Sequence, residues 1–172
     1  MKALGIILAG GNSSRMQNLS EKRAISAMSV ACSYRCIDFV LSNMTNSNIQ
    51  TVAVLSQYNA RSLNEHLNSS KWWNFGRKQG GLFLFTPTVT SDNSWWYRGT
   101  ADAMWQNIDF LKKRHEPYVV IASGDCVSKM DFNEILEYHI AKQSDITVVC
   151  AKLPEWEDPK RLGLVKLAME GR

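Results

Sequence analysis

Residues 3–16 read ALGIILAGGNSSRM, an apolar run that passes directly into a turn. The run over residues 3–9 has no polar alternation, which is typical of a strand buried on both faces of a parallel sheet. Gly10 and Gly11 let a ligand approach the backbone closely, and Arg15 can supply paired donors to phosphate oxygens. The pattern predicts a buried strand that ends at an anion-binding turn. A tight strand-to-helix turn without a ligand is the alternative.

The rest of the chain alternates short β-rich apolar runs with segments of helical spacing. This alternation predicts an α/β fold, with a mostly parallel sheet and helices on both of its faces. The predicted later strands cover residues 51–55, 82–85, 118–122 and 146–150, and the last of them is predicted to be buried. One predicted helix ends near residues 46–48, and three others cover about 60–67, 100–113 and 132–141. A loop is predicted over residues 10–21.

Length and composition favour one globular domain with small ligands. The chain has 172 residues, 45% of them hydrophobic and 21% charged, and its net charge of +4 is scattered. Scattered positive charge favours small anionic ligands over nucleic acid. The four cysteines form no Cys-x-x-Cys pair, which indicates a reduced, cytoplasmic protein. No apolar run approaches the ~20 residues of a membrane span, so we expect no membrane partner.

A second polar strand end follows residues 118–122, where Ser123-Gly124-Asp125 comes directly after a buried strand. Ligands of open α/β sheets bind beyond the carboxyl ends of the strands, near the point where the strand order reverses. Mg²⁺ takes one or two protein carboxylates together with substrate phosphates, so Asp125 is a candidate ligand. An N-cap or turn aspartate is the alternative.

Six blocks along the chain occur in the order that is typical of one enzyme family. They are residues 8–11 (LAGG) with Arg15, 34–39 (YRCIDF), 41–43 (LSN), 57–58 (QY), 96–103 (WYRGTADA), and 118–121 (YVVI) before Gly124-Asp125. With them the chain resembles glucose-1-phosphate adenylyltransferase, also called ADP-glucose pyrophosphorylase. The resemblance implies a Rossmann-like nucleotidyltransferase domain. It also implies that ATP and glucose 1-phosphate react to give ADP-glucose and pyrophosphate in glycogen biosynthesis, with Mg²⁺.

The resemblance also implies a role for each matching residue. Arg15 would contact the leaving pyrophosphate, and Asp125 would hold Mg²⁺; these two are the candidate catalytic residues. The nucleotide-binding turn would consist of Leu8, Ala9, Gly10 and Gly11. The adenosine side would be lined by Gly80, Gly81, Gly99, Thr100 and Ala101.

The departures from the family pattern concern charge and backbone freedom. The third glycine of the turn is Ser13, and the catalytic Lys-Pro pair falls on Ile25 and Ser26. Ala31-Cys32 stands where the family has Gly-Gly, and Cys126 stands where a histidine follows the metal aspartate. This combination resembles the regulatory second subunit of some bacteria, which works beside a catalytic subunit in a hetero- or homo-tetramer. A fully catalytic subunit is the alternative.

Two further expectations concern the extent of the chain and a competing fold. Residues 1–172 are expected to be the N-terminal part of the transferase domain, truncated before the sugar-phosphate lysine, without the family's C-terminal β-helix domain. A dinucleotide-binding dehydrogenase is the remote alternative. It requires Gly-x-Gly-x-x-Gly and an acidic residue at the end of the second strand, where Leu55-Ser56-Gln57 stands instead.

Overall fold

A computed structural model describes most of the chain, in two units, Met1–Asn133 and Glu134–Arg172. It describes residues 2–11, 14–19, 21–68, 73, 75, 80–88, 96–154, 156, 158 and 163–165, and of Ser14, Arg15 and Leu19 only the backbone.

The main sheet has four strands in the order β5-β4-β1-β6, and all three pairings are parallel. β1 and β4 lie in the middle and are almost wholly buried, as their unalternated apolar sequences predict. The predicted α/β class and parallel sheet are therefore confirmed. The strands are β1 (Ala3–Leu8), β4 (Thr51–Leu55), β5 (Gly81–Phe85) and β6 (Tyr118–Ser123), and a separate two-stranded hairpin joins β2 (Ser29–Val30) to β3 (Tyr34–Arg35).

The order of the strands reverses at β1. The chain runs from β1 to β4 and on to β5, then returns to the other side of β1 to form β6. Hydrogen bonding continues past the carboxyl ends, because Ala9 N donates to Leu55 O at 2.8 Å and Gly124 N donates to Leu8 O at 2.9 Å. The three strand ends therefore lie side by side at the reversal point, where open α/β sheets bind ligands.

Helices pack on both faces of the sheet, although β6 at its edge leaves Val119 50% and Ile121 51% exposed. On one face, Met44 packs so closely that a β-carbon at Gly5 would lie 3.0 Å from its sulfur. On the other face, the ring of Phe110 lies 4.9 Å from the ring of Phe83. The helices are α1 (Cys36–Asn46), α2 (Ala60–Leu67), α3 (Thr100–Gln106), α4 (Ile108–Lys112) and α5 (Phe132–Ala141). None of the helices among the described residues has the length and apolar character that a membrane crossing needs.

The helix predicted over residues 100–113 is two helices, with a break at Asn107. The side-chain Nδ2 of Asn107 donates to Ala103 O at 2.8 Å, the carbonyl that its backbone N–H would bond in a continuous helix. Its backbone N–H bonds Met104 O instead, at 3.2 Å. An asparagine side chain thus competes with the helical bond and ends α3.

Two predictions about irregular segments are wrong. The loop predicted over residues 10–21 contains a 3-10 helix at Ser14–Leu19, kinked at Gln17. The strand predicted at 146–150 is absent: the segment has no regular structure, and Ile146 is 80% exposed. β-branched residues favour a strand only when a neighbouring strand pairs with them, and no strand pairs with this segment among the described residues.

Candidate functional site

A cavity of about 290 Å³ opens at the carboxyl ends of β1, β4 and β6. It lies where the strand order reverses, which is the place where open α/β sheets bind ligands. Its walls combine apolar side chains with glycine backbone, small polar groups and one carboxylate. The residues that line it are Leu8, Gly10, Gly11, Ile25, Ser26, Leu55, Gln57, Tyr97, Gly99, Thr100, Ala103, Ser123 and Asp125.

One wall depends on close packing between the ends of β1 and β6. Gly124 is buried, and a β-carbon there would lie 2.8 Å from Ser26 Oγ and 3.2 Å from Leu8 O. Only a residue without a side chain lets the end of β6 approach both groups. Gly124 therefore brings the turn that carries Asp125 against the glycine turn after β1.

Asp125 is exposed at the mouth of this cavity. Ser123 Oγ donates to Asp125 Oδ1 at 2.5 Å, which fixes the orientation of the carboxylate. Among the described residues no group of three or more His, Cys, Asp or Glu side chains could hold a metal. One oriented carboxylate facing a solvent-filled cavity fits Mg²⁺, which completes its shell with phosphates and water. α5 begins only at Phe132, so Asp125 is not a helix N-cap.

The opposite wall is held by hydrogen bonds between elements. Tyr97 N donates to Gln57 Oε1 at 2.6 Å, and Asn107 Nδ2 donates to Tyr97 Oη at 3.1 Å. Burial raises the pKa of Tyr97, so the phenol stays protonated at neutral pH. Because Oε1 of Gln57 already accepts a backbone N–H, its amide NH₂ is the group left to face a ligand. This wall is therefore neutral and preorganised.

The described lining of the cavity carries a carboxylate and no cation. Ile25 and Ser26 occupy the wall where the family resemblance leads one to expect Lys-Pro. Arg15 lies in the 3-10 helix Ser14–Leu19, and its side chain is outside the described residues. Lys22 and Arg23 are exposed and are not among the lining residues.

The structure brings most of the predicted site residues together. Leu8, Gly10, Gly11, Gly99, Thr100 and Asp125 all line the cavity. Ala9 is buried and is not a lining residue, and its backbone N–H donates to Leu55 O. Ala101 is exposed on α3 and is not a lining residue. Predicted roles in binding remain predictions for all of these residues.

Gly80 and Gly81 lie elsewhere. They lie at the amino end of β5, whereas the cavity lies at the carboxyl ends of the strands. Gly81 N donates to Gln50 O there, at 3.0 Å. Gly80 has a φ of +90°, and a β-carbon on it would overlap the carbonyl oxygen of Gln50. The structure does not bring this pair to the adenosine side of the cavity, and it gives both glycines a packing reason.

Sequence reasoning assigned no role to five lining residues, Leu55, Gln57, Tyr97, Ala103 and Ser123. Gln57 follows β4 by two residues, so the rule about carboxyl strand ends could have found it. Ser123 ends β6 and could have been found in the same way. Tyr97 belongs to no described helix or strand, but it lies in the family block at residues 96–103, two residues before Gly99, and that block could have indicated it.

A parallel sheet with a glycine turn and a carboxylate at its strand-order reversal is the arrangement at which open α/β proteins bind ligands. The family model described as Nucleotidyl transferase matches residues 4–172, and the chain belongs to that family. Proteins named glucose-1-phosphate adenylyltransferase match it closely, and the resemblance seen in the sequence blocks is confirmed.

Three of these relatives show the extent of the match. The protein from Thermosipho africanus is 42% identical over 98% of this chain and 41% of its own length. The protein from Geobacillus stearothermophilus is 40% identical over 95% of this chain and 42% of its own length. The protein from Bacillus subtilis is 37% identical over 99% of this chain and 44% of its own length. The chain thus spans about two fifths of the length of these relatives.

Proposed function

We propose that this chain is the nucleotide-binding part of a glucose-1-phosphate adenylyltransferase subunit that is weakly active or regulatory in itself. The observation that carries the proposal is Ile25 in the wall of a cavity whose described lining holds no cation. Family membership supports nucleotidyl transfer, and the relatives' name supports ATP and glucose 1-phosphate as substrates. The dehydrogenase alternative is set aside because the chain belongs to the nucleotidyl transferase family.

The reaction needs positioning and charge neutralisation more than covalent chemistry. The sugar phosphate would attack the α-phosphorus of ATP, and pyrophosphate would leave. Gly10 and Gly11 would let the phosphates approach the backbone, and Arg15 would meet the leaving pyrophosphate. Asp125 would hold Mg²⁺, which when bound supplies positive charge to the phosphates. The Gln57 amide would donate to an acceptor on the nucleotide.

An apolar residue at position 25 weakens this neutralisation. The transition state of phosphoryl transfer is anionic, and one positioned charged contact is worth ~3 kcal/mol, or about a hundredfold in rate. Ile25 offers no charge and no hydrogen bond to the phosphates. A chain with this wall is therefore expected to bind nucleotide better than it turns it over.

A subunit with low catalytic activity is expected to work together with a more active one. We infer a hetero- or homo-tetramer in which a catalytic subunit of the same family produces ADP-glucose for glycogen synthesis. ATP and sugar phosphates are cytoplasmic metabolites, and the described cysteines are free thiols, so a cytoplasmic location is expected.

The test is Ile25→Lys in the full-length protein. Restored positive charge in the cavity wall should raise pyrophosphate release by up to about a hundredfold. Ile25→Met, a substitution of similar volume without charge, is the matched control and should leave the rate near that of the wild type. Rates are measured for the subunit alone and mixed with the catalytic subunit.

A brisk wild-type rate from the subunit alone would overturn the regulatory proposal and support the fully catalytic alternative. That alternative needs another cation at the phosphates. Lys22 and Arg23 are the nearest cationic residues in the sequence, but both are exposed and neither lines the cavity.

A further inference from the structure

We propose that Asn43 and Ser47 form a clamp on α1 that holds the loop after Asp125 and thereby positions this carboxylate for its metal. Both residues are polar and buried, with Asn43 7% exposed and Ser47 1% exposed. Asn43 lies in α1 and Ser47 is the residue that caps its C-terminus, and Ser47 N donates to Asn43 O at 3.0 Å, so the two lie one above the other. Neither is among the residues that line the cavity, so they are positioning residues rather than catalytic ones.

Asn43 uses both polar atoms of its side chain on the backbone of this loop. Its Nδ2 donates to Ser128 O at 2.8 Å, and its Oδ1 accepts from Met130 N at 3.3 Å. A buried amide without partners would be destabilising, so these bonds explain why an asparagine is tolerated there. They also tie the loop to a helix that packs against β1.

Ser47 holds the loop at the C-terminal end of α1. Its hydroxyl accepts from Phe132 N at 2.9 Å and donates to Asp131 Oδ1 at 3.2 Å. The same carboxylate oxygen of Asp131 accepts from Asn133 N at 2.9 Å. Ser47 therefore fixes the end of the loop where α5 begins.

The other end of the loop is fixed by the sheet. Gly124 N donates to Leu8 O at 2.9 Å, and Cys126 N closes a turn on Ser123 O at 3.4 Å. Cys126 and Val127 are exposed and contribute little packing of their own. Asp125 thus lies on a short bridge between two anchors, with Gly124 on one side and Ser128 on the other.

This arrangement predicts that the carboxylate is held in place from a distance. The proposal rests on the proposed role of Asp125 as a metal ligand. Residues that orient a metal ligand without touching the metal commonly affect its affinity about tenfold or more. Release of the clamp should therefore weaken metal binding while the cavity lining stays chemically unchanged.

The first arm of the test is amide hydrogen exchange of the full-length protein. Asn43→Ala should speed exchange at Met130 by about fivefold, the factor that loss of one hydrogen bond gives, with little change in β1 or β4. Asn46→Ala removes the same side chain from an exposed position of α1 and is the matched control. Unchanged exchange at Met130 would overturn the proposal.

The second arm is binding of Mn²⁺ together with ATP, followed by the relaxation of water protons, which needs no turnover. Asp125→Asn should weaken Mn²⁺ binding most, and Asn43→Ala should weaken it about tenfold. Asn46→Ala should bind as the wild type does. If Asn43→Ala does not fold, Ser47→Ala loses only a hydroxyl and should still speed exchange at Phe132 and weaken binding.

The outcomes separate this inference from the proposed function. If Asp125→Asn weakens Mn²⁺ binding and the two clamp variants do not, the clamp is overturned and the proposed metal site stands. If Asp125→Asn binds Mn²⁺ with ATP as the wild type does, the metal site itself fails and the clamp's role in metal binding fails with it.

Discussion

Gly11 lies beyond the carboxyl end of β1, and Gly80 lies before the amino end of β5, at the opposite edge of the same sheet. Among the described residues no heavy atom lies within 4 Å of where a β-carbon on Gly11 would be, and the same is true of Gly99. A β-carbon on Gly80, in contrast, would overlap the carbonyl of Gln50, and its φ of +90° is strained for any other residue.

The same amino acid therefore serves two purposes at the two edges. At the cavity edge, glycine leaves space that the described protein does not fill, as expected where a ligand approaches the backbone. At the amino edge, glycine leaves space that the protein itself fills. A side chain should therefore reduce ligand binding at the first edge and stability at the second.

The largest effect is expected for Gly80→Ala. The added methyl group strains a left-handed backbone and meets a carbonyl that belongs to the sheet, so the free energy of unfolding should fall by roughly 3 kcal/mol. Urea unfolding followed by circular dichroism measures it. Gly11→Ala is the control, with a change expected within about 0.5 kcal/mol. Equal stability of the two variants would remove the distinction between the two edges.

The next effect is expected on binding. Gly11→Ala should weaken ATP binding about tenfold, or ~1.4 kcal/mol, because the methyl group occupies the space through which phosphates reach the backbone. Calorimetric titration of the full-length protein measures the affinity. Gly163→Ala adds a methyl group in the other unit, at a glycine that likewise has no neighbour within 4 Å among the described residues, and should bind ATP normally. Normal ATP affinity in Gly11→Ala would argue against a phosphate site at this turn.

The next prediction concerns two residues that have a left-handed backbone although they are not glycines. Ala31 and Cys32 form the tip of the β2-β3 hairpin with φ of 47° and 69°, although neither is a glycine. Ala31→Gly and Cys32→Gly should each raise the free energy of unfolding by up to ~1 kcal/mol, because glycine adopts this conformation without strain. Ser33→Gly, next in the turn, is the control and should not stabilise. Thermal unfolding would show a lowered midpoint if strain is absent.

The smallest effect concerns a thiol near the cavity. Burial, and then the negative charge of Asp125, raise the pKa of Cys36, so its thiolate forms only at higher pH than that of an ordinary cysteine. Alkylation of Cys36 should be slow at pH 8 and should accelerate above pH 9. Asp125→Asn should shift the alkylation profile to lower pH, and exposed Cys32 should keep its own profile. An unchanged profile would show that the charge of Asp125 does not reach this thiol.

Sequence patterns predicted well the elements whose evidence is local. β4 and α2 begin and end where their apolar spacing places them, at Thr51–Leu55 and Ala60–Leu67. The glycine turn and Asp125 were found because each follows an apolar strand, and parallel strands bring their carboxyl ends together. The strand before Asp125 was predicted to be buried, but β6 is an edge strand that leaves Val119 50% and Ile121 51% exposed. These predictions need no knowledge of distant partners.

Predictions failed where a distant partner decides the outcome. The segment 146–150 has the composition of a strand, but it has no neighbouring strand among the described residues and stays exposed. The resemblance gives Gly80 a binding role, which stays a prediction; the structure shows only that Gly80 packs against Gln50 at the amino end of β5. The clamp joins Asn43 to Ser128, 85 residues along the chain, and no local pattern announces it.

The amino-acid order therefore established the α/β class and the family blocks and predicted the chemistry of the two strand ends, because side-chain periodicity and backbone freedom act over a few residues. The three-dimensional arrangement established which glycines face open space and which face the protein. It also put an uncharged Ile25 in the wall of the cavity and tied the loop after Asp125 to α1. Those features depend on close packing and hydrogen bonds between residues far apart in the chain, which only the folded protein brings together.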